Sequence, residues 1–226
     1  MTASPLEVFD AALSAPRGRL ALAHADGARQ PLPLARWQGR ATASDLLVLE
    51  QARGPVLDVG CGPGRHLEAL ASRGIPALGL DISSTAVRLA RGRGARAVRG
   101  SIWSLLPGPG TWGTVLLLDG TLGLDGRPVA LLRRARRLLA PGGRVLVEVD
   151  AGGAPGPVRL VGADGPSAPF EWAAVSWGEL DALAARAGFA VPWRRRCGER
   201  GFARLEAAPA GRGAYPSAND QGDRNE

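Results

Sequence analysis

Short apolar segments alternate with amphipathic segments between residues 55 and 150. The apolar segments are six or seven residues long and have the lengths and end residues of buried strands, whereas the segments between them repeat their apolar positions with a helical period. Strands that alternate with helices in this way are typical of a doubly wound, mostly parallel sheet. The predicted strands are PVLDVG (55–60), PALGLD (76–81), ARAVRG (95–100), GTVLLLD (113–119) and RVLVEVD (144–150).

The pattern changes after residue 150. A Gly/Pro-rich stretch (151–169) precedes a predicted strand at 170–176 and a helix at 177–189. Residues 190–207 then predict a hairpin that turns near residues 198–201. Two antiparallel strands added to the five above give an α/β fold with a mostly parallel seven-stranded sheet and a C-terminal antiparallel hairpin.

The first forty residues predict a separate lead-in. LEVFDAAL (6–13) can form a short helix, and the segment around Asp26-Gly27 predicts a hairpin turn. A helix follows at 42–52, with Thr42 or Ser44 as its N-cap. We therefore expect three parts, which are a lead-in or lid (1–40), a main domain (41–207) and a polar, aperiodic tail that we expect to be disordered (208–226).

Composition narrows the function only slightly. The net charge is +7, and all 28 basic residues are arginine, which a GC-rich coding bias explains better than selection for nucleic acid does. The arginines of RRARR (133–137) lie opposite an apolar stripe and predict a solvated helix face. Two distant cysteines predict free thiols, no residue spacing predicts a metal site, and no segment predicts a signal peptide or a membrane span. A cytoplasmic protein is the expectation.

The segment VLDVGCGPGRHLEAL (56–70) carries the chemistry. A strand that ends in glycines before a helix is a device for binding nucleotides and anions, because glycine lets the backbone approach the ligand. A phosphate-binding P-loop needs a lysine, and the chain has none. A dinucleotide fingerprint needs its third glycine at position 65, where the chain has Arg65; the glycine at 64 makes this alternative weaker but leaves it open.

Three segments together resemble a known family. VLDVGCGPG (56–64) is similar to motif I of class I S-adenosylmethionine-dependent methyltransferases, GLDIS (79–83) to their second motif, and LLAPGGRVLVEV (138–149) to the segment leading into their fifth strand. The resemblance implies the cofactor S-adenosylmethionine, the product S-adenosylhomocysteine, and a set of residues around them. The residues it implies for the cofactor are Asp58, Gly60, Cys61, Gly62, Gly64, Asp81 and Ile82.

The resemblance implies different contacts for these residues. Asp81 would bind the ribose hydroxyls, since a carboxylate makes strong hydrogen bonds to hydroxyl groups. Asp58 would lie toward the methionine part of the cofactor, or alternatively bind the amides of its own loop. The family often has an acid after the third strand, but this chain has Ser101, so Ser101 or the nearby backbone could contact adenine while Ile102 and Trp103 pack on its face.

The acceptor side is less defined by the sequence. Asp119 follows the fourth predicted strand, at the expected junction of cofactor and acceptor, and could position the acceptor, take its proton or cap its own turn. His24 is a weaker candidate for a base if the lead-in folds over the site. Arg65 could reach the cofactor carboxylate or a substrate, or be solvated. His66 is expected at the surface or near the helix cap, with a role as a base as the alternative.

The sequence favours a methyltransferase that acts on a small-molecule acceptor, because no appended nucleic-acid-binding module is evident. An RNA or protein methyltransferase of the same fold, which would use the arginines of 193–204, is an alternative. A cofactor-binding regulator without catalytic activity is another. The sequence does not predict the oligomeric state.

Overall fold

The computed structural model describes residues 2–149 and 156–208. The helices are α1 (Pro5–Ser14), α2 (Leu34–Gln38), α3 (Ala43–Leu49), α4 (Arg65–Ala71), α5 (Ser84–Gly92), α6 (Pro128–Leu138) and α7 (Leu180–Ala187), and a short 3-10 helix covers Thr121–Gly123. The strands are β1 (Ala21–Ala23), β2 (Arg29–Pro31), β3 (Val56–Val59), β4 (Ala77–Asp81), β5 (Ala97–Arg99), β6 (Trp112–Leu117), β7 (Leu139–Val149), β8 (Gly156–Gly162), β9 (Gly165–Pro166), β10 (Phe170–Trp172), β11 (Phe189–Cys197) and β12 (Arg200–Ala207).

The main sheet has seven strands in the order β11-β12-β7-β6-β3-β4-β5. The pairs from β7 to β5 are parallel, and β12 is antiparallel to both β7 and β11. The α/β fold with a mostly parallel seven-stranded sheet and a C-terminal antiparallel hairpin is therefore confirmed. Its central strands β3 and β6 are buried at every position except Gly113, as expected for parallel strands covered by helices on both faces.

Side-chain hydrogen bonds from cap residues stabilise the N-termini of α3 and α5. Thr42 caps α3, and the carboxylate of Asp45 accepts a hydrogen bond from the Thr42 amide (2.8 Å), which completes a capping box. The hydroxyl of Ser83 caps α5 by accepting from the Ala86 amide at 2.8 Å. In α3 the cap is one of the two residues, Thr42 and Ser44, that the sequence predicts.

A second, smaller sheet has the order β10-β8-β1-β2, with β9 added to β8. It joins the lead-in to the segment after β7, because Leu22 of β1 pairs with Leu160 of β8. Its apolar side chains pack with α1 and with Ala86 of α5. The Gly/Pro-rich stretch therefore contributes strands that its composition did not predict, and the strand predicted at 170–176 is shorter and belongs to this sheet.

One other difference from the prediction concerns the start of β7. Strand β7 begins at Leu139 instead of residue 144, because Leu139 already pairs with Trp112 before the ladder resumes at Arg144. The predicted disordered tail lies outside the described residues from position 209 onward. Within the described residues, no helix is both long and apolar enough to cross a bilayer.

Candidate active site

The candidate site lies at the topological switch point of the main sheet, where the strand order reverses. From β3 the chain proceeds to β4 and β5 on one side, whereas β6 and β7 lie on the other side of β3. Ligands of doubly wound sheets bind at the carboxyl ends of the strands at such a switch point. The loops after β3 and β6 meet there, since a Cβ on Gly60 would lie 2.6 Å from Cγ2 of Thr121.

The amides of the glycine loop are already bonded to protein. Gly60 and Cys61 donate to the Leu80 carbonyl at 2.7 and 3.1 Å, and Gly62 donates to Oδ2 of Asp81 at 2.9 Å. Gly64 donates to the Cys61 carbonyl at 3.0 Å. These amides do not converge on an anion, so the loop lacks the backbone cradle that a dinucleotide pyrophosphate requires.

The two predicted cofactor acids are buried at the ends of neighbouring strands. Asp58 of β3 is 2% exposed, and its Oδ2 has no hydrogen-bond partner among the described residues. Asp81 at the end of β4 accepts from the amides of Gly62 and Ser83. The structure thus brings both acids together, and it does not show the alternative in which Asp58 binds its own loop amides.

Burial affects the acid at the end of β4. Desolvation raises the pKa of Asp81 above its usual value, the two backbone hydrogen bonds oppose this, and the charges of Asp58 and Asp10 add to it. Asp10 belongs to α1 and accepts a hydrogen bond from the Ser83 hydroxyl. The lead-in helix therefore lies directly over the ends of β4 and α5.

Exposed apolar side chains follow β4 and β5. Ile82 is 53% exposed and Trp103 is 40% exposed, so both remain open to a ligand. Ser101 lies beside them and accepts from the Trp103 amide at 3.2 Å. Ile102 is 3% exposed and packs into the main core with Leu80. The expectation that the Ile102 side chain packs on adenine is therefore not supported.

The glycine-loop cysteine points away from the loop surface. Cys61 packs with Leu67, Val87 and Ala90 between α4 and α5, and a Cβ on Gly79 would lie 2.6 Å from its sulfur. Burial and the charges of two nearby acids raise the pKa of its thiol. Only the backbone of Cys61 is therefore available to a ligand, and both cysteines of the chain are free thiols as predicted.

Asp119 is held by arginines from three parts of the chain. Arg65 of α4 binds both carboxylate oxygens, with Nη2 at 2.9 Å from Oδ1 and Nη1 at 2.5 Å from Oδ2. Arg36 of α2 donates to Oδ1 at 3.2 Å, and Arg200 of β12 lies 3.5 Å from the same atom. Burial alone would raise the pKa of Asp119, but the Arg65 hydrogen bonds and the surrounding cations lower it.

A fully buried acid of α3 organises these arginines. Asp45 of α3 accepts from Arg65 at 3.0 and 3.1 Å and from Nη1 of Arg200 at 2.8 Å. Arg200 also binds both oxygens of Glu148, at 2.7 and 2.8 Å. Burial opposes ionisation of Asp45, but hydrogen bonds from His66 and Arg65 hold its pKa far below its usual value. We call the following residues the buried ion network: Asp45, Arg65, His66, Asp119, Glu148 and Arg200.

His66 connects the buried ion network to the cofactor acid Asp58. Its Nε2 lies 3.4 Å from Oδ1 of Asp45, and its Nδ1 lies 3.8 Å from Oδ2 of Asp58. Burial alone would lower the pKa of His66, but the two acids raise it to about 9 despite the opposing charge of Arg65. The expectation of a surface histidine is wrong, and so is the alternative of a solvated Arg65, since these side chains are each only 4% exposed.

The lead-in contributes one side chain that reaches Asp119. Arg36 keeps 29% of its side chain exposed, but its Nε is buried and has no partner among the described residues. His24, the other predicted base, lies in the turn between β1 and β2, where its backbone bonds Ala28 and Gly27. The described residues contain no group of three or more histidine, cysteine, aspartate or glutamate side chains suited to a metal ion.

Comparison with known proteins agrees with the geometry. Residues 56–143 match a family model described as a methyltransferase domain. A solved S-adenosylmethionine-dependent methyltransferase from Bacteroides fragilis, in complex with S-adenosylhomocysteine, superposes with a TM-score of 0.75 at 23% identity, covering 91% of this chain and 95% of that one. The strand order and the glycine loop thus define a Rossmann-like methyltransferase fold. Residues 56–143 thus carry a methyltransferase domain, which confirms the resemblance seen in the motifs.

Curated relatives found by sequence match the chain over only part of their own length. A trans-aconitate 2-methyltransferase from Paracidovorax citrulli is 35% identical over 98 residues, which are 42% of this chain and 38% of that protein. An uncharacterized protein of Mycobacterium tuberculosis is 30% identical over 189 residues, which are 83% of this chain and 59% of that protein. The chain thus spans less than two thirds of the length of these curated relatives.

Proposed function

We propose that the protein is an enzyme that binds S-adenosylmethionine at the switch point and transfers its methyl group to a small-molecule acceptor. The observation that carries this proposal is the buried carboxylate of Asp58, which has one oxygen without a hydrogen-bond donor among the described residues. Nδ1 of His66 lies 3.8 Å from this oxygen, too far for a hydrogen bond, so the buried carboxylate still needs a direct donor as its partner. The ammonium group of the methionine moiety supplies such a partner.

The other parts of the site fit the same cofactor. Each oxygen of Asp81 accepts one backbone hydrogen bond and keeps a second lone pair for a ribose hydroxyl. Ile82 and Trp103 offer exposed apolar surface for adenine, with Ser101 beside them. The cofactor has no phosphate, which agrees with a glycine loop whose amides are bonded to protein.

When bound, this cofactor supplies a methyl group on a positively charged sulfur, already activated for displacement. The protein then has to align the acceptor with that methyl group, and alignment alone can lower a barrier by several kcal/mol. Asp119 and Thr121, which follow β6, lie on the acceptor side of the glycine loop. We propose that α1 and the small sheet form a lid that restricts this side to small acceptors, which agrees with the substrate named for the P. citrulli relative.

Calorimetric titration with S-adenosylmethionine and S-adenosylhomocysteine tests the cofactor assignment. We expect Asp58→Asn and Asp81→Asn each to weaken binding by about tenfold to a hundredfold, because each removes a charged hydrogen-bond acceptor. Asp164→Asn is the matched control, since Asp164 is exposed in the turn between β8 and β9 and should leave binding unchanged. Circular dichroism confirms that each variant is folded.

The result that would end this proposal is a folded wild-type protein that binds neither ligand. Binding without turnover on broad acceptor panels would instead favour a regulator. Turnover that requires RNA and falls steeply with salt would favour a nucleic-acid methyltransferase.

A further inference from the structure

The acid groups around Asp119 are all held by arginines. Asp45 and Asp119 have lowered pKa values and accept hydrogen bonds from arginines, and Glu148 is bound through both oxygens by Arg200. His66 carries a proton at neutral pH, because Asp45 and Asp58 raise its pKa to about 9. An acceptor that must lose a proton in the reaction, such as an alcohol, would find no base among these groups.

The charged side chains at the site leave one net negative charge before any ligand is added. Arg36, Arg65, Arg200 and His66 contribute four positive charges, which face the five negative charges of Asp45, Asp58, Asp81, Asp119 and Glu148. A cofactor with an ammonium, a carboxylate and a sulfonium group adds one net positive charge. The occupied site is then neutral overall, so an anionic acceptor needs a cationic side chain of its own, and Coulomb interactions in a partly buried site are stronger than in water.

Arg36 is the cation that can meet that anion. Arg36 makes a single hydrogen bond to the carboxylate of Asp119. Its side chain is 29% exposed, against 4% for Arg65 and 12% for Arg200, the other two arginines near this carboxylate. Its buried Nε is a donor that lacks an acceptor among the described residues. Nearby, Thr121 is only 8% exposed and its hydroxyl also has no partner there. A guanidinium can bind a carboxylate through two parallel hydrogen bonds.

We propose that the acceptor is a small carboxylate, that Arg36 binds it, and that the product is a methyl ester. The inference rests on the proposed function. A carboxylate oxygen forms the new bond to the methyl carbon while the carbon–sulfur bond breaks, and its electron pair stays on sulfur. No proton moves, because carboxylates are ionised well below neutral pH. The sulfonium and the carboxylate charges both disappear, so a neutral thioether and an ester with one negative charge fewer remain.

Binding and turnover of matched acids and amides test this inference. Benzoate, succinate and tricarballylate are titrated calorimetrically into the protein saturated with S-adenosylhomocysteine, beside benzamide, succinamide and tricarballylamide. We expect at least one acid to bind and its amide not to bind. Arg36→Gln should weaken binding of that acid by about tenfold to a hundredfold, as for loss of a charged hydrogen bond, and leave cofactor affinity unchanged.

The control variant is Arg29→Gln, which removes an exposed arginine of β2 in the same lead-in and should bind the acid as the wild type does. Turnover is followed with methyl-labelled cofactor, and the product should release methanol in mild alkali, as esters do. Its rate should be flat between about pH 6 and about pH 8, where carboxylates are ionised.

Failure of this inference is distinct from failure of the proposed function. Cofactor binding with no affinity for any of the acids would overturn the carboxylate inference alone. So would methylation of amines or hydroxyl compounds in its place, or equal acid binding by Arg36→Gln. Absence of cofactor binding would overturn the proposed function itself.

Discussion

The carboxylate of Asp45 receives two hydrogen bonds from the guanidinium of Arg65, with Nε 3.1 Å from Oδ2 and Nη2 3.0 Å from Oδ1. Asp45 lies on α3, ahead of the main sheet, and Arg65 is the first residue of the helix after the glycine loop. This pair fixes the glycine loop to a helix that precedes the methyltransferase core in the chain.

Replacing Asp45 by asparagine should destabilise the protein strongly. The substitution leaves Arg65, Arg200 and His66 buried with one anion fewer, and breaking such a buried network costs about 3–5 kcal/mol. Urea unfolding followed by circular dichroism measures the loss. Asp181→Asn breaks the pair with Arg194 at a carboxylate that is 67% exposed, and should cost less than about 1 kcal/mol. Equal losses for the two variants would contradict this interpretation.

Stability should fall on the alkaline side because of His66. Its pKa is about 9 in the folded protein, above the value near 6.5 expected for the unfolded chain. The folded state therefore binds this proton more tightly, and the stabilisation is complete below about pH 6.5 and is lost as the pH rises through about 9. Urea unfolding of the wild type and of His66→Gln across this range measures it. An unchanged pH slope in the variant would show that His66 is not the group responsible.

Gly62 and Gly60 should respond differently to alanine. Both have positive φ, but a Cβ on Gly62 meets nothing within 4 Å, whereas one on Gly60 would lie 2.6 Å from Thr121. Gly62→Ala should therefore fold and weaken S-adenosylmethionine binding by about tenfold to a hundredfold, because the methyl group enters the space above the loop. Gly60→Ala should lower the melting temperature more than Gly62→Ala does, because its Cβ also clashes with Thr121.

The matched control for Gly62 is Gly27, in the turn of the lead-in hairpin. It too has positive φ and nothing within 4 Å of its Cβ position. Gly27→Ala therefore imposes similar backbone strain, about 1 kcal/mol, without affecting the site. If both variants bound the cofactor equally well, Gly62 would not lie under it.

The two cysteines should differ in reactivity. Cys61 is 6% exposed and burial raises the pKa of its thiol, so little of the reactive thiolate forms. Cys197 on β11 is partly exposed. Titration with Ellman's reagent should show one thiol reacting promptly in the native protein and two in denaturant. Cys197→Ser should lose the prompt phase, and retention of that phase would contradict the assignment.

Local patterns predicted the main sheet well because its strands are short apolar runs bounded by turns, and its loop glycines carry a motif. The same patterns placed Asp58, Asp81 and the glycine loop at one end of the sheet. Periodicity also indicated α3 and its cap at Thr42. These features are determined by residues that lie close together in the sequence.

The buried ion network could not be predicted in that way. Arg200 and Asp45 are far apart in the chain, and each reads locally as an ordinary solvated charge. His66 was expected at the surface because nothing beside it in the sequence shows the two acids that surround it. Strand β8 of the small sheet was missed for a related reason. It lies in a Gly/Pro-rich stretch and gains its strand conformation by pairing with β1.

Because Leu22 of β1 pairs with Leu160 of β8, the small sheet can form only after both segments have been translated. Ribosomes add about 5–20 residues per second, so the lead-in hairpin is synthesised roughly 6–25 seconds before its partner strand β8. Until then, one edge of β1 has no strand beside it and is open to other nascent chains. The small sheet is thus completed only after β8 and β10 have been synthesised.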